Sequence, residues 1–271
     1  MADRWAGPAH RLVPGDLAAA AKAVGVPEPA LVAVLAVEAR GSGFDAQNRP
    51  VILYEPHVMF RQAKAFRPDV LAEAQAAGVA YPRWGTRPYP PGQQAQYARL
   101  AAASAIDPEC AFRSISVGLA QILGENYNGA GYGSAVEMFE AFKVSEQDQL
   151  AAMLRLIRKW GLIPVMQRGD WFAFARKYNG SGQVARYAGL LSAAHKRAGG
   201  MGRISPAAPG FVPPPSLAAA PAPAKSGRVR IYPAGGADAL NAAELDRVRR
   251  GTRGTADDLN ARELSRIRGT T

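Results

Sequence analysis

The sequence predicts a mainly helical chain, α+β with a very small sheet, in which one domain is followed by a proline- and alanine-rich linker and a short helical or partly disordered basic tail. In 271 residues, 48% are hydrophobic and 20% charged, enough apolar material to bury one substantial core. Between residues 16 and 178 the apolar positions recur mostly at helical spacing behind helix-starting residues, and only Pro50 to Glu55 reads as extended. The composition then breaks near residue 202. Ser205 to Ser226 holds seven prolines and seven alanines, a semi-rigid spacer rather than core. The expected division is a domain over 1–202, a linker over 203–229 and a tail over 230–271.

Taken in order, Gly15-Asp16 opens a short helix to about Val24, and Pro27-Glu28 opens another to about Ala39. Val51-Ile52-Leu53-Tyr54, between a polar turn and Pro56, is the strand. The proline-rich segment Tyr81 to Gly92, with Arg83, Trp84 and Arg87, reads as a long ordered loop of the kind that often carries function. Ser116 to Ile122 is an apolar run interrupted by Gly118 and Gln121, for which a helix with one buried glutamine is the plain alternative. Ser145 caps a long helix in which Leu150, Met153, Leu154, Ile157 and Trp160 recur at helical spacing. Asp170 precedes an apolar helix ending near Tyr178. In the tail, Leu240-Asn241-Ala242-Ala243-Glu244-Leu245 returns 19 residues later as Leu259-Asn260-Ala261-Arg262-Glu263-Leu264, each copy followed by a basic stretch. Asn241 and Asn260 each stand three residues before a glutamate, a helix-start pattern.

Charge narrows the partners. Lys and Arg number 33 against 22 Asp and Glu, a net +11, of which +5 lies in residues 203–271. Such a balance favours nucleic acid, an anionic membrane surface or an acidic wall polymer. The small share of aromatics, 8%, weighs against base stacking and hence nucleic acid. One cysteine, Cys110, excludes a disulfide framework, and three histidines far apart in sequence give no metal cluster, so neither metal nor cofactor is expected. Met1-Ala2-Asp3-Arg4-Trp5 shows no apolar signal region, and the apolar run Ala30 to Val37 is far short of the ~20 residues of a membrane span. Synthesis in the cytoplasm without a signal peptide, and a monomer, are the expectations.

Glu38 stands out. It ends a helix that is apolar on every face, so its carboxylate must be paired or shifted toward the protonated form by burial. A glycine-rich turn, Arg40-Gly41-Ser42-Gly43-Phe44, follows and would open the helix end to a cleft. A proton donor in an apolar wall is what glycosidic cleavage requires; a structural ion pair with Arg40 or another arginine is the alternative. Glu55, at the end of the strand, is a second candidate carboxylate, with a pair to His57 or Arg61 as its plain reading. Asp45, just past the turn, is a third, with a turn role as its alternative. Gln121 could hydrogen-bond across a cleft, and Tyr178-Asn179 could pack on the glutamate and bind a sugar, unless Asn179-Gly180 merely ends a helix.

In order and spacing, five segments over roughly residues 12–197 resemble the phage and prophage N-acetylmuramidase family of endolysins, within the lysozyme-like superfamily. They are Val37-Glu38-Ala39-Arg40-Gly41-Ser42-Gly43-Phe44; Arg49-Pro50-Val51-Ile52-Leu53-Tyr54-Glu55-Pro56-His57; Ala111 to Ile122 with Ser116-Val117-Gly118-Leu119-Ala120-Gln121-Ile122; Asn126 with Gly131-Tyr132; and Phe174-Ala175-Arg176-Lys177-Tyr178-Asn179-Gly180. Two positions depart from the family pattern: Val117 stands where tryptophan is expected, and Ala39 where serine is commoner. The resemblance implies a lysozyme-like fold and cleavage of the β-1,4 bond between N-acetylmuramic acid and N-acetylglucosamine in peptidoglycan. It maps Glu38 onto the family's catalytic glutamate, the acid, and Glu55 onto an acidic position after the strand; Glu55, or in its place Asp45, would orient water or stabilise the sugar cation. Asp45, Gln121, Tyr178 and Asn179 would bind glycan. It also implies bacterial lysis after release from the cytoplasm; the tail, which lies outside the resemblance, would dock by its charge on anionic wall or outer-membrane surface. A lytic transglycosylase, which uses one glutamate, and a non-catalytic wall-binding protein are the rival classes.

Overall fold

In the computed structural model the described residues are 3–13, 15–39, 41–180 and 183–199. Arg40, the linker and the repeated tail lie outside them. The first helix, α1 (Asp16–Val24), turns through 112° into α2 (Glu28–Glu38). Gly25 makes the turn at φ +76°, a left-handed conformation that glycine adopts without steric cost. Strand β1 (Ile52–Tyr54) and α3 (Pro56–Phe66) follow, then α4 (Leu71–Ala76), α5 (Gln93–Ile106) and α6 (Pro108–Arg113). The antiparallel hairpin β2 (Ile115–Val117) and β3 (Ile122–Leu123) comes next. The rest is helical: α7 (Ala135–Phe142), α8 (Glu146–Lys159), α9 (Ile163–Arg168), α10 (Trp171–Tyr178) and α11 (Val184–Arg197). The expected mainly helical architecture with a very small sheet is what the chain adopts.

Burial explains the arrangement. Ala30 to Leu35 of α2 are buried on every face, because α1, α9 and α11 pack around the helix. On α8 the stripe Leu150, Met153, Leu154 and Ile157 has no exposed surface. The Ser145 cap read from the sequence forms, its Oγ accepting from Asp148 N (3.0 Å), and Asp170 caps the helix it precedes, its Oδ1 accepting from Ala173 N (3.0 Å). Tyr81 to Gly92 contains neither helix nor strand, as expected of a loop.

The sheet corrects one expectation. Ser116 to Ile122 is not helical; it is the β2–β3 hairpin, turning at Gly118 (φ +75°) and Gln121 (φ +47°). Strands of three and two residues are too short to display alternation in sequence. The order β1-β2-β3 leaves β1 at an edge, and α5 completes that edge with side chains. Gln93 Oε1 accepts from Ile52 N (2.8 Å) while its Nε2 donates to Ile52 O (3.0 Å). One turn on, Gln96 Oε1 accepts from Tyr54 N (3.0 Å). Two glutamines thus stand in for a fourth strand.

Candidate active site

Glu38 is the last residue of α2 and is half-buried, between buried Val37 and Ala39. The end of α10 faces it: Asn179 Nδ2 donates to Glu38 Oε1 at 3.1 Å. Asn179 terminates α10 by donating its own N–H to Ala175 O (2.8 Å), and Gly180 follows at φ +84°. Behind it, Tyr178 stacks on Phe174 (5.1 Å, 16°) and meets Trp160 edge-on (5.7 Å, 74°), a rigid aromatic wall. The structure therefore brings together Glu38 and Asn179, residues 141 apart in sequence. Asn179 Oδ1 is buried without a hydrogen-bond partner among the described residues, as is Gln121 Oε1. Gln121 Nε2 donates to Val51 O (3.0 Å) and Gly118 O (2.8 Å), fixing its amide over the start of β1.

Glu55 follows β1 and precedes α3, with no exposed surface. Leu53 pairs with Ser116 across the sheet, so Leu53, Glu55 and Ser116 share one face. Accordingly Ser116 Oγ donates to Glu55 Oε1 (3.2 Å), and Tyr89 of the 81–92 loop donates to Oε2 (3.4 Å). His57 Nδ1 lies 3.6 Å from Oε2, beyond hydrogen-bond length. Burial, reinforced by the Arg61 charge, pushes the His57 pKa down to about 4, so its ring is neutral near pH 7 despite the adjacent carboxyl. Arg61 itself pairs with Glu125 (2.7 Å).

Asp45 is engaged by its own turn. Its Oδ1 accepts from Gln47 N (2.9 Å) and Arg49 N (3.0 Å), and its Oδ2 from Arg49 Nε (2.8 Å). Both oxygens build the loop that leads into β1. No group of three or more His, Cys, Asp or Glu among the described residues is placed to hold a metal ion.

Glu146 and Gln149, two buried polar side chains of α8, are not among the residues that the sequence marks as candidates. They occupy the same helical face as Leu150, Met153 and Ile157, and polar residues on an apolar stripe were the available signal. Gln93 and Gln96 gave no such signal, since their partners lie more than 40 residues away.

A family model described as N-acetylmuramidase matches residues 27–199. A chain from the crystal structure of the Burkholderia AP3 phage endolysin aligns with a TM-score of 0.61 and 36% identity, over 68% of this chain and 70% of that one. Curated proteins gave no match. The family match takes in every site residue named above, from Glu38 to Asn179.

Proposed function

This chain belongs to the N-acetylmuramidase family, and from that premise we propose that it is an endolysin-type muramidase that hydrolyses the β-1,4 bond between N-acetylmuramic acid and N-acetylglucosamine, with Glu38 as general acid. At the coarser level it is a peptidoglycan hydrolase with a lysozyme-like domain. The observation that carries the finer reading is the half-buried Glu38 carboxyl held by Asn179 at the end of an apolar helix. The carbonyl end of a helix favours a neutral over a negative group, which suits an acid that must arrive protonated. Glu38 would give its proton to the leaving oxygen as an oxocarbenium-like transition state develops. The Asn179 and Gln121 amides each hold a buried acceptor that a sugar N–H or O–H would satisfy once glycan opens the site, and Tyr178 backs it. Paired-carboxyl hydrolysis needs neither metal nor cofactor.

Glu55 would be the second carboxyl, orienting water or stabilising the cation once glycan opens its surroundings. Its complete enclosure favours one rival, a lytic transglycosylase, in which a single glutamate suffices and an anhydro sugar is formed. In either case the enzyme would act on the wall after release from the cytoplasm where it is made, and lyse the cell.

Mass spectrometry of purified peptidoglycan digested with the full chain tests this. Reducing muramic ends are expected. Anhydro-muramic ends would establish the transglycosylase, reducing glucosamine ends would overturn the bond assignment, and wall binding without release would leave a non-catalytic module.

A further inference from the structure

Two turns beside the candidate site, the one after Glu38 and the one between β2 and β3, rest on one face of α8, and the start of β1 is hydrogen-bonded to both. The turn after Glu38 is held by the Glu146 carboxylate: Oε1 accepts from Gly43 N (2.8 Å) and Ser42 Oγ (2.9 Å). Its Oε2 accepts from Leu12 N (2.9 Å), and Arg11 Nη1 lies 3.5 Å from Oε1. Glu146 is only 2% exposed. A carboxylate in the first turn of a helix, with this many donors, is held in one position.

One helical turn on, Gln149 has no exposed surface. Its Oε1 accepts from Leu119 N (2.6 Å) in the β2–β3 turn, and its Nε2 donates to Phe142 O (2.9 Å). A Cβ on Gly43 would lie 2.1 Å from Gln149 Oε1, and one on Gly118 would lie 2.7 Å from it. Glycine at both positions is therefore what lets two backbones close onto this side chain. The start of β1 joins there too: Val51 N donates to Gly43 O (2.9 Å), and Gly118 N donates to Val51 O (2.8 Å). Val51 leads directly into β1 and Glu55.

We infer that Glu146 and Gln149 are positioning residues for the reaction. Neither touches glycan in this assignment. Together they fix the turn after Glu38, the start of β1 and the β2–β3 turn in one register, and so set where the Glu38 carboxyl stands relative to the glycan bound by Gln121 and Asn179. The inference rests on the reading of Glu38 as general acid. Misplacing a reacting group by about 1 Å costs on the order of 10²-fold in rate, so a loosened support shows in kcat before it shows in binding.

The test is Gln149→Met in the full chain, assayed on purified peptidoglycan across pH, with circular dichroism to verify folding. Methionine keeps the volume and removes both hydrogen bonds. The expected result is a fall in kcat of about tenfold or more with KM little changed, and a displaced alkaline limb of the pH–rate profile, because the limb reports the acid whose surroundings have moved. A folded variant with the wild-type kcat overturns the inference. So does a lowered kcat with the limb in place, which is what a purely structural role produces. If Gln149→Met does not fold, Gly43→Ala presses on the same contact from the other side and is read the same way. Glu38→Gln run in parallel separates the two readings. If it remains active, the general-acid assignment falls. If it is inactive while Gln149→Met behaves as wild type, only the positioning role falls.

Discussion

At the scale of single residues, Glu38 and His57 make opposite demands on burial. Glu38 sits where the C-terminal end of the apolar helix α2 reaches a half-open surface, and Asn179 orients it. Glu38→Gln preserves shape and the Asn179 contact but removes the acidic proton. It is expected to keep the circular dichroism spectrum and to lower turnover by about 10²–10⁴; retention of most of the activity would refute the assignment. His57 is held neutral in a half-buried position, with its pKa lowered from 6.5 to about 4 by desolvation and the Arg61 charge. The unfolded chain therefore binds a proton that the folded chain refuses throughout that interval. Stability contributed by the neutral ring is complete above the upper value and is lost as pH falls through the window, to about 3 kcal/mol in all. Urea unfolding at pH 7 and pH 4.5 measures the slope. His57→Gln should remove most of it, and an unchanged slope in that variant would exclude His57 as the cause.

At the scale of elements, local chemistry was legible and tertiary substitution was not. Ser145, Asp170, Pro27 and the continuous apolar run of α2 each announce a helix through groups a few residues apart, and each helix forms where expected. Glu38 and Asn179 stand out individually for another reason, since each lies in a motif whose order along the chain matches a family, but the hydrogen bond between them was not legible: Asn179 reads in sequence as a sugar ligand. The β2–β3 hairpin was not legible, since five strand residues carry no period, and neither were the side chains that replace backbone partners. Gln93 shows why. In sequence it is an ordinary helical glutamine, and only the fold sets it against the open edge of β1, where it pairs both polar groups of Ile52. Gln93→Ala would leave those two groups buried and unpaired, at about 1–3 kcal/mol each. Denaturant unfolding should register that loss. Stability within a few tenths of a kcal/mol of wild type would mean that water replaces the amide and that the edge does not depend on it.

At the scale of the whole molecule, the matched family region ends at residue 199 and the sequence changes character a few residues later. The packing of α11 against α2 and α10 closes the core before that point, and the hydrogen bonds described for the site join residues that all precede the linker. A chain ending after residue 202 is therefore expected to fold and to cleave soluble muropeptides like the full chain. What it should lose is affinity for intact walls. The removed segment carries eleven Lys and Arg against six Asp and Glu, with arginines grouped behind each copy of the repeat. Attraction of that kind to a polyanionic surface is long-ranged at low salt and fades as the Debye length contracts toward 8 Å near physiological ionic strength. Co-sedimentation of both forms with isolated walls and with outer membranes, between about 50 and 200 mM salt, measures the effect. The full chain should bind more tightly at the lower salt, and its advantage should shrink steadily toward the higher. Equal sedimentation of the two forms at low salt would show that the tail adds no affinity. An advantage that ignores salt would point instead to a specific pocket in the repeat, since only charge is screened in this way.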